Sequence, residues 1–324
     1  MVNPLEILAR PSITEAAGKL EGLLRDSVTT GEDFLDQITT HLIAAGGKRI
    51  RPVLALASAS HSNREIAQDD LLGGVAVELV HLASLYHDDV MDEAEIRRNV
   101  ESVNSRYGNM VAIVAGDYLL ARSAAIAASL GTEIASLLAN TLASLTEGQV
   151  SEVRTAFSPE RSRDDYFSAI GGKTSSLMAT SARIGALTSE RPRVEVELLT
   201  TYGYQLGNVF QLRDDILDMV ATEGQLGKPA GQDLAEGIYT LPALIALEDA
   251  RHGPQLRELL GSTLSDEKRE QARQLVVATD GVHETFAVAR NYVAICKEAA
   301  GGLEPELGAG LSALASGLLE DLPI

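Results

Sequence analysis

The sequence predicts an all-α fold, a single-domain antiparallel helical bundle over 1–324, and three observations carry that expectation. Apolar residues recur at three- and four-residue spacing through most of the chain, with no convincing run of strict alternation. Trp is absent and aromatic residues reach only 4%, so Ala and Leu, both strong helix formers, must fill the core. The β-branched and aromatic residues that favour strands are comparatively thin. A hydrophobic share of 45% against 23% charged is the balance of a globular chain, and 324 residues suffice to close a core.

The periodicity predicts helices over 13–27, 33–45, 51–60, 71–92, 110–130, 132–157, 165–170, 174–187, 193–220, 239–250, 266–278, 283–299 and 304–319. Breaks are expected at Gly46-Gly47, Gly73-Gly74, Gly171-Gly172, Arg191-Pro192 and Gly253-Pro254, and Ser158-Pro159 opens a charged, exposed connection. No low-complexity tract or fixed-period repeat interrupts this pattern, so one continuous domain is the simplest organisation. Residues 111–130 are membrane-like, but Asp117 and Arg122 interrupt them, which predicts a buried core helix rather than a span. Residues 1–10 contain Pro4 and Glu6 and lack the apolar run of a signal peptide. The single Cys, Cys296, excludes an internal disulfide or a Cys-based zinc site and fits a packed thiol in a reducing cytoplasm.

The formal net charge is −19 at pH 7. Such a chain repels nucleic acid and anionic lipid at long range, so any phosphate it binds must meet a local positive device. Clustered acids that recruit cations would serve. Asp-Asp-x-x-Asp occurs twice, as Asp88-Asp89-Val90-Met91-Asp92 and Asp214-Asp215-Ile216-Leu217-Asp218, each closing a long apolar helix. Asp88 and Asp92 share a helix face, with Asp89 beside them. A solvated acidic face would explain one such cluster about as well as a site would. However, acids late in a helix oppose the macrodipole, and carboxylates about 4 Å apart repel by roughly 4 kcal/mol at an effective dielectric of 20. A bound cation removes that cost, and oxygen ligands without Cys favour Mg²⁺ over zinc.

Acid clusters need an anion between their metals, and basic residues suited to one lie at several places. Gly46-Gly47-Lys48-Arg49-Ile50-Arg51-Pro52 is a Gly-rich turn with three cations opening a helix, where free N–H groups favour phosphate. Arg97-Arg98 follows the first Asp cluster, Lys173-Thr174 follows Gly171-Gly172, and Lys228 sits in Gly227-Lys228-Pro229. Each alone is most simply an exposed base; together, in an acidic chain, they form the positive device that the charge requires.

In this order, from Gly46 to Pro242, the motifs resemble the trans-polyprenyl diphosphate synthases. The resemblance implies an isoprenoid-synthase bundle with a central cavity, packed as a homodimer. Its implied substrates are isopentenyl diphosphate and an allylic diphosphate, the latter held through Mg²⁺, three ions with the diphosphate bound. By the same resemblance Asp88, Asp92 and Asp214 coordinate the metal, while Asp89, Asp215 and Asp218 orient waters and hold its shell. Arg97, Lys173 and Lys228 neutralise the allylic diphosphate, with Thr174 and Gln211 near the reacting carbon; Phe210 either lends its ring to the cation or packs in the core. Lys48, Arg51, His81 and Arg98 hold isopentenyl diphosphate. Three positions depart from the pattern: Ile238 stands where Lys is common, Asn99 where Gly is, and Glu101 where Pro is.

The growing chain is expected to run down the helix that ends in Asp88, where one turn rises about 5.4 Å, near the length of an isoprene unit. Ala83 and Ser84 are small, which leaves the first turn open, and Val80 and Val77 lie deeper. A medium-to-long product is expected. A short-chain synthase and a non-catalytic subunit of a heteromeric synthase are the alternatives, and transient membrane contact at product release is compatible with all of them.

Overall fold

The computed structural model describes residues 3–8, 10–61, 64–222, 224 and 229–324. It is helical almost throughout. The chain passes through α1 (Pro4–Ile7), α2 (Pro11–Asp26), α3 (Asp33–Ala44) and α4 (Ile50–Ala59) into the central α5 (Gln68–Met91). A short antiparallel ribbon, β1 (Ile96–Arg97) and β2 (Val100–Glu101), precedes α6 (Val103–Tyr107), α7 (Asn109–Ser129) and α8 (Thr132–Thr155). Next, α9 (Arg163–Ile170), a π turn (Gly171–Ser175) and α10 (Ser176–Thr188) form one continuous rod, followed by α11 (Arg193–Val220). The remainder comprises α12 (Gln232–Ala235), α13 (Leu241–Glu248), α14 (Gly253–Leu259), α15 (Asp266–Val277), α16 (Gly281–Gly301) and α17 (Pro305–Glu320).

α5 is the axis of the bundle. It packs against α2, α4, α7 and α10, and α11 lies between α10 and α16. The Tyr86 hydroxyl, buried on α5, donates to the Ile38 carbonyl at 2.6 Å and pins α3 to it. A second apolar cluster joins Val77 and Val80 of α5 to Ile134 and Leu138 of α8 and to Leu177 and Ile184 of α10.

Four expectations are corrected. Gly73-Gly74 does not break a helix: α5 runs through it, because the pair lets Ile184 and Leu20 pack directly on its backbone. Gly171-Gly172 widens the helix into a π turn instead of ending it. Gly253-Pro254 starts α14, since Pro at the first helical turn lacks only an N–H that would have no partner there. The connection after Ser158 is not wholly exposed: Arg161 is buried and donates to the Tyr239 carbonyl at 3.2 Å.

Residues 111–130 are only in part the buried core helix that was expected. One face of α7 packs on α5, while Met110, Ile113 and Val114 on the other are exposed. Among the described residues α7 is the one helix long and apolar enough to cross a membrane.

A Cβ added to Gly185 of α10 would sit 1.9 Å from the Ala55 carbonyl oxygen of α4, whereas one at Gly22 of α2 meets nothing within 4 Å. Urea denaturation of Gly185→Ala should therefore show a loss of about 2 kcal/mol or more. Gly22→Ala should gain roughly 0.5–1 kcal/mol.

Candidate active site

Asp92 caps α5, its N–H donating to the Asp88 carbonyl at 2.8 Å, so both side chains leave the same end of the helix one turn apart. Asp88 is half-buried and Asp92 exposed, while Asp89 is 1% exposed and accepts from Arg97 Nε at 2.6 Å. Burial raises the Asp88 carboxyl above its ordinary range, eased by Lys173 and Arg97. Desolvation and then the Asp88 charge do the same to Asp92. These acids are short of positive charge.

The second cluster divides by helix face. Asp214 keeps 40% of its side chain exposed, beside Arg213, whose guanidinium also holds Asp321 at the end of α17 at 3.0 Å. Asp215 is fully buried, accepting from the Tyr166 hydroxyl and, at 2.9 Å, from Gln211 Nε2. Burial pushes its carboxyl up to about 7. Asp218 is buried and accepts from the Gln232 and Asp233 N–H groups, both at 3.2 Å, which anchors α12. Asp88, Asp92 and Asp214 are thus the more exposed members of the two clusters, and Asp89, Asp215 and Asp218 the buried ones. Among the described residues no three acid, His or Cys groups converge.

Two cavities adjoin this end of α5. The larger, ≈ 660 Å³, runs between α5, α7 and α8, with Asp88, Lys173 and Thr174 among its polar lining and Val80, Ser84, Leu120 and Leu142 on its walls. The smaller, ≈ 460 Å³, is bounded by Lys48, Arg51, Arg98 and Phe210. Arg51 and His81 line both. Phe210 therefore faces the cationic cavity and does not line the apolar one. Val77 is fully buried in the cluster it shares with Val80. Ala83 is fully buried in the main core and does not line the cavity; one position along a helix turns a side chain by about 100° from Ser84.

The cations are placed by local backbone. Arg49 takes a left-handed conformation at φ 49°, which turns it inward onto Glu78 at 2.8 Å and Glu21 at 2.6 Å. Lys48 is exposed, and Arg51, on the first turn of α4, has a buried Nε without a partner among the described residues. Arg98 and Asn99 form the two-residue turn of the ribbon, at φ 54° and 62°. Asn tolerates this conformation better than other non-glycine residues, which explains how it replaces Gly. Arg98 donates to the carbonyls of Leu42, at 3.3 Å, and Gly46, and a Cβ at Gly47 would come within 3.0 Å of its guanidinium. Burial, then the charges of Arg51 and Arg98, hold His81 well below its usual pKa, so it is a neutral imidazole.

The π turn aims Lys173 and Thr174 at the larger cavity, as such turns often do at functional sites. Lys173 Nζ donates to Glu152 of α8 at 2.6 Å; burial opposes its charge, but Glu152 and Asp88 outweigh that and keep it protonated. Thr174 Oγ1 donates to Gln211 Oε1 at 3.0 Å. Lys228 lies outside the described residues. Glu78, Glu152 and Tyr166 were not anticipated from the sequence; no local motif marks them, and only helix packing brings them to the site.

A carboxyl raised to about 7 favours the fold when protonated. The contribution of Asp215 is fully present below its unfolded value and is lost as pH rises through 7. Without metal, wild-type protein should lose about 1 kcal/mol of stability between pH 6 and pH 8 through this group. Asp215→Asn should lose less over the same window, as read by denaturant midpoints.

Residues 32–278 match the family model described as polyprenyl synthetase. The chain is 36% identical over 287 residues to nonaprenyl diphosphate synthase of Mycobacterium tuberculosis, covering 87% of this chain and 85% of that one. It is 35% identical over 282 residues to heptaprenyl diphosphate synthase component 2 of Geobacillus stearothermophilus, covering 87% and 88%. Its fold superposes on polyprenyl synthase of Caulobacter crescentus, complexed with calcium and isoprenyl diphosphate, with a TM-score of 0.91 at 29% identity over 98% of both chains. With similarity of this extent along the sequence and through the fold, the chain belongs to the polyprenyl synthetase family.

Proposed function

We propose that this prenyl diphosphate synthase condenses isopentenyl diphosphate with an allylic diphosphate to give an all-trans product of about C30–C50, each added unit spanning about one helical turn. The observation that carries the reading is the meeting of two unlike cavities at Arg51 and His81. One is cationic and suits a second diphosphate; the other begins at Asp88 and Lys173 and continues between apolar helices. Val80 and Ser84 leave its upper wall open.

Asp88, Asp92 and Asp214 are the carboxylates that would hold Mg²⁺, which commonly takes one or two carboxylates and completes its shell with water and substrate phosphate. Bound ions would neutralise the charge that develops on the departing diphosphate. Lys173 and Arg97 add fixed positive charge at the same place. The allylic C–O bond breaks with its electron pair leaving on diphosphate. The isopentenyl double bond supplies the pair for the new C–C bond, and the lost proton passes to diphosphate. Lys48, Arg51 and Arg98 hold the isopentenyl substrate, and neutral His81 donates one hydrogen bond to it. No side-chain nucleophile enters.

The apolar core runs from Leu8 to Leu319, which supports one domain over the chain. The exposed apolar face of α7, with Val150 and Val153 on α8, supports a homodimer packed through these helices. The same proposal places synthesis in the cytoplasm, with transient membrane contact for product release. Similarity to a numbered component of a heptaprenyl synthase keeps a heteromeric partner as a second reading.

Purified chain alone, given labelled isopentenyl diphosphate, an allylic primer and Mg²⁺, should yield products longer than C20, and EDTA should abolish them. Asp92→Asn should lower kcat about 100-fold or more. Ser84→Phe should shorten the product, read by chromatography, with the initial rate largely kept. Synthesis that starts only on adding a second chain would establish the heteromeric reading.

A further inference from the structure

We infer that Tyr166 is a positioning residue that fixes, through three successive hydrogen bonds, which way the Thr174 hydroxyl presents itself to the reacting allylic carbon. The inference rests on the proposed prenyl transfer and adds to it a residue that touches neither substrate nor metal.

Tyr166 is 1% exposed in the first turn of α9, whose start is set by Ser162 and Asp165 capping one another. Its ring is held edge-on by Phe167, with centroids 5.1 Å apart, and from its face by Arg161 at 5.7 Å. The hydroxyl is thereby aimed at Asp215 Oδ2. In the ionised form of Asp215 its Oδ1 is likewise only an acceptor, and the atom that meets it at 2.9 Å must then be the amide nitrogen of Gln211. The Gln211 carbonyl oxygen then faces Thr174, which spends its only hydroxyl proton on it at 3.0 Å. Thr174 lines the larger cavity beside Asp88 and Lys173. With its proton committed inward, it offers that cavity oxygen lone pairs alone. This is the polarity that an allylic centre losing its diphosphate requires, because carbon there becomes positive while the leaving oxygen takes the electron pair. If Gln211 were reversed, Thr174 would accept from the amide and turn its proton towards the developing cation.

Tyr166→Phe removes the anchor and keeps the ring. In steady-state assays with isopentenyl diphosphate, farnesyl diphosphate and Mg²⁺, kcat should fall about tenfold, the scale of 1.4 kcal/mol in a barrier. Both KM values should stay within about twofold, and melting should show a folded protein. Binding gives an independent readout: an ammonium analogue of the allylic cation, with diphosphate and Mg²⁺, should bind more weakly to the variant, whereas a non-ionising thiolodiphosphate should bind equally well. Asp215→Asn serves as a second variant. Its amide would donate to Gln211 and reverse the relay, so it should show the same split between kcat and KM. Wild-type kcat in either folded variant would overturn the inference, as would a rise in KM that accounts for the whole loss. An inactive wild-type protein in the same assay would instead overturn the prenyl-transfer reading.

Discussion

The repulsion between carboxylates gathered at the C-terminal end of α5 is the interaction on which the rest depends. Asp88 and Asp92 sit where the helix dipole is already negative, and burial of Asp88 deprives it of solvent relief. The surroundings are arranged to meet that excess. Arg97 is fastened to Asp89, Lys173 arrives from the π turn, and the arginines of the Gly-rich turn line the adjoining cavity together with His81. An acidic chain thereby gathers fixed positive charge around an acidic cluster, which is the arrangement that the proposed diphosphate site needs. Glu152 and Glu78 restrain the positive side in turn, holding Lys173 and Arg49 in fixed positions.

Much of this was legible in the sequence because it is local. A four-residue spacing places Asp88 and Asp92 on one face whatever the tertiary structure, and apolar periodicity marked the long helices. Asn99 was noted as a substitution, and its backbone conformation explains why it is tolerated. What the sequence hid depends on packing between distant segments. Tyr166 reaches Asp215 across 49 positions, and Glu152 reaches Lys173 across 21. Glycine misleads for a related reason: a Gly pair signals a break only if nothing packs closely against it, and at Gly73-Gly74 three other helices do. Likewise the face that Ser84, and not Ala83, turns to the cavity depends on which neighbour closes each side of α5.

The second aspartate cluster shows how one motif can be divided between tasks. Its first member faces outward beside Arg213, its second is locked into the buried relay, and its third fastens the short helix α12. Three identical residues thus differ in hydration and in partners because the helix turns each towards a different environment.

The shared lining of the two cavities bears on how such a protein can diversify. Arg51 and His81 belong to both pockets, so neither can be altered to suit one ligand without disturbing the other. Mutational freedom is therefore unevenly distributed: the junction is locked by two constraints at once, while Leu120 and Leu142, farther along the apolar cavity, answer to one. New specificities would arise by drift at that remote end, with the charged junction inherited unchanged.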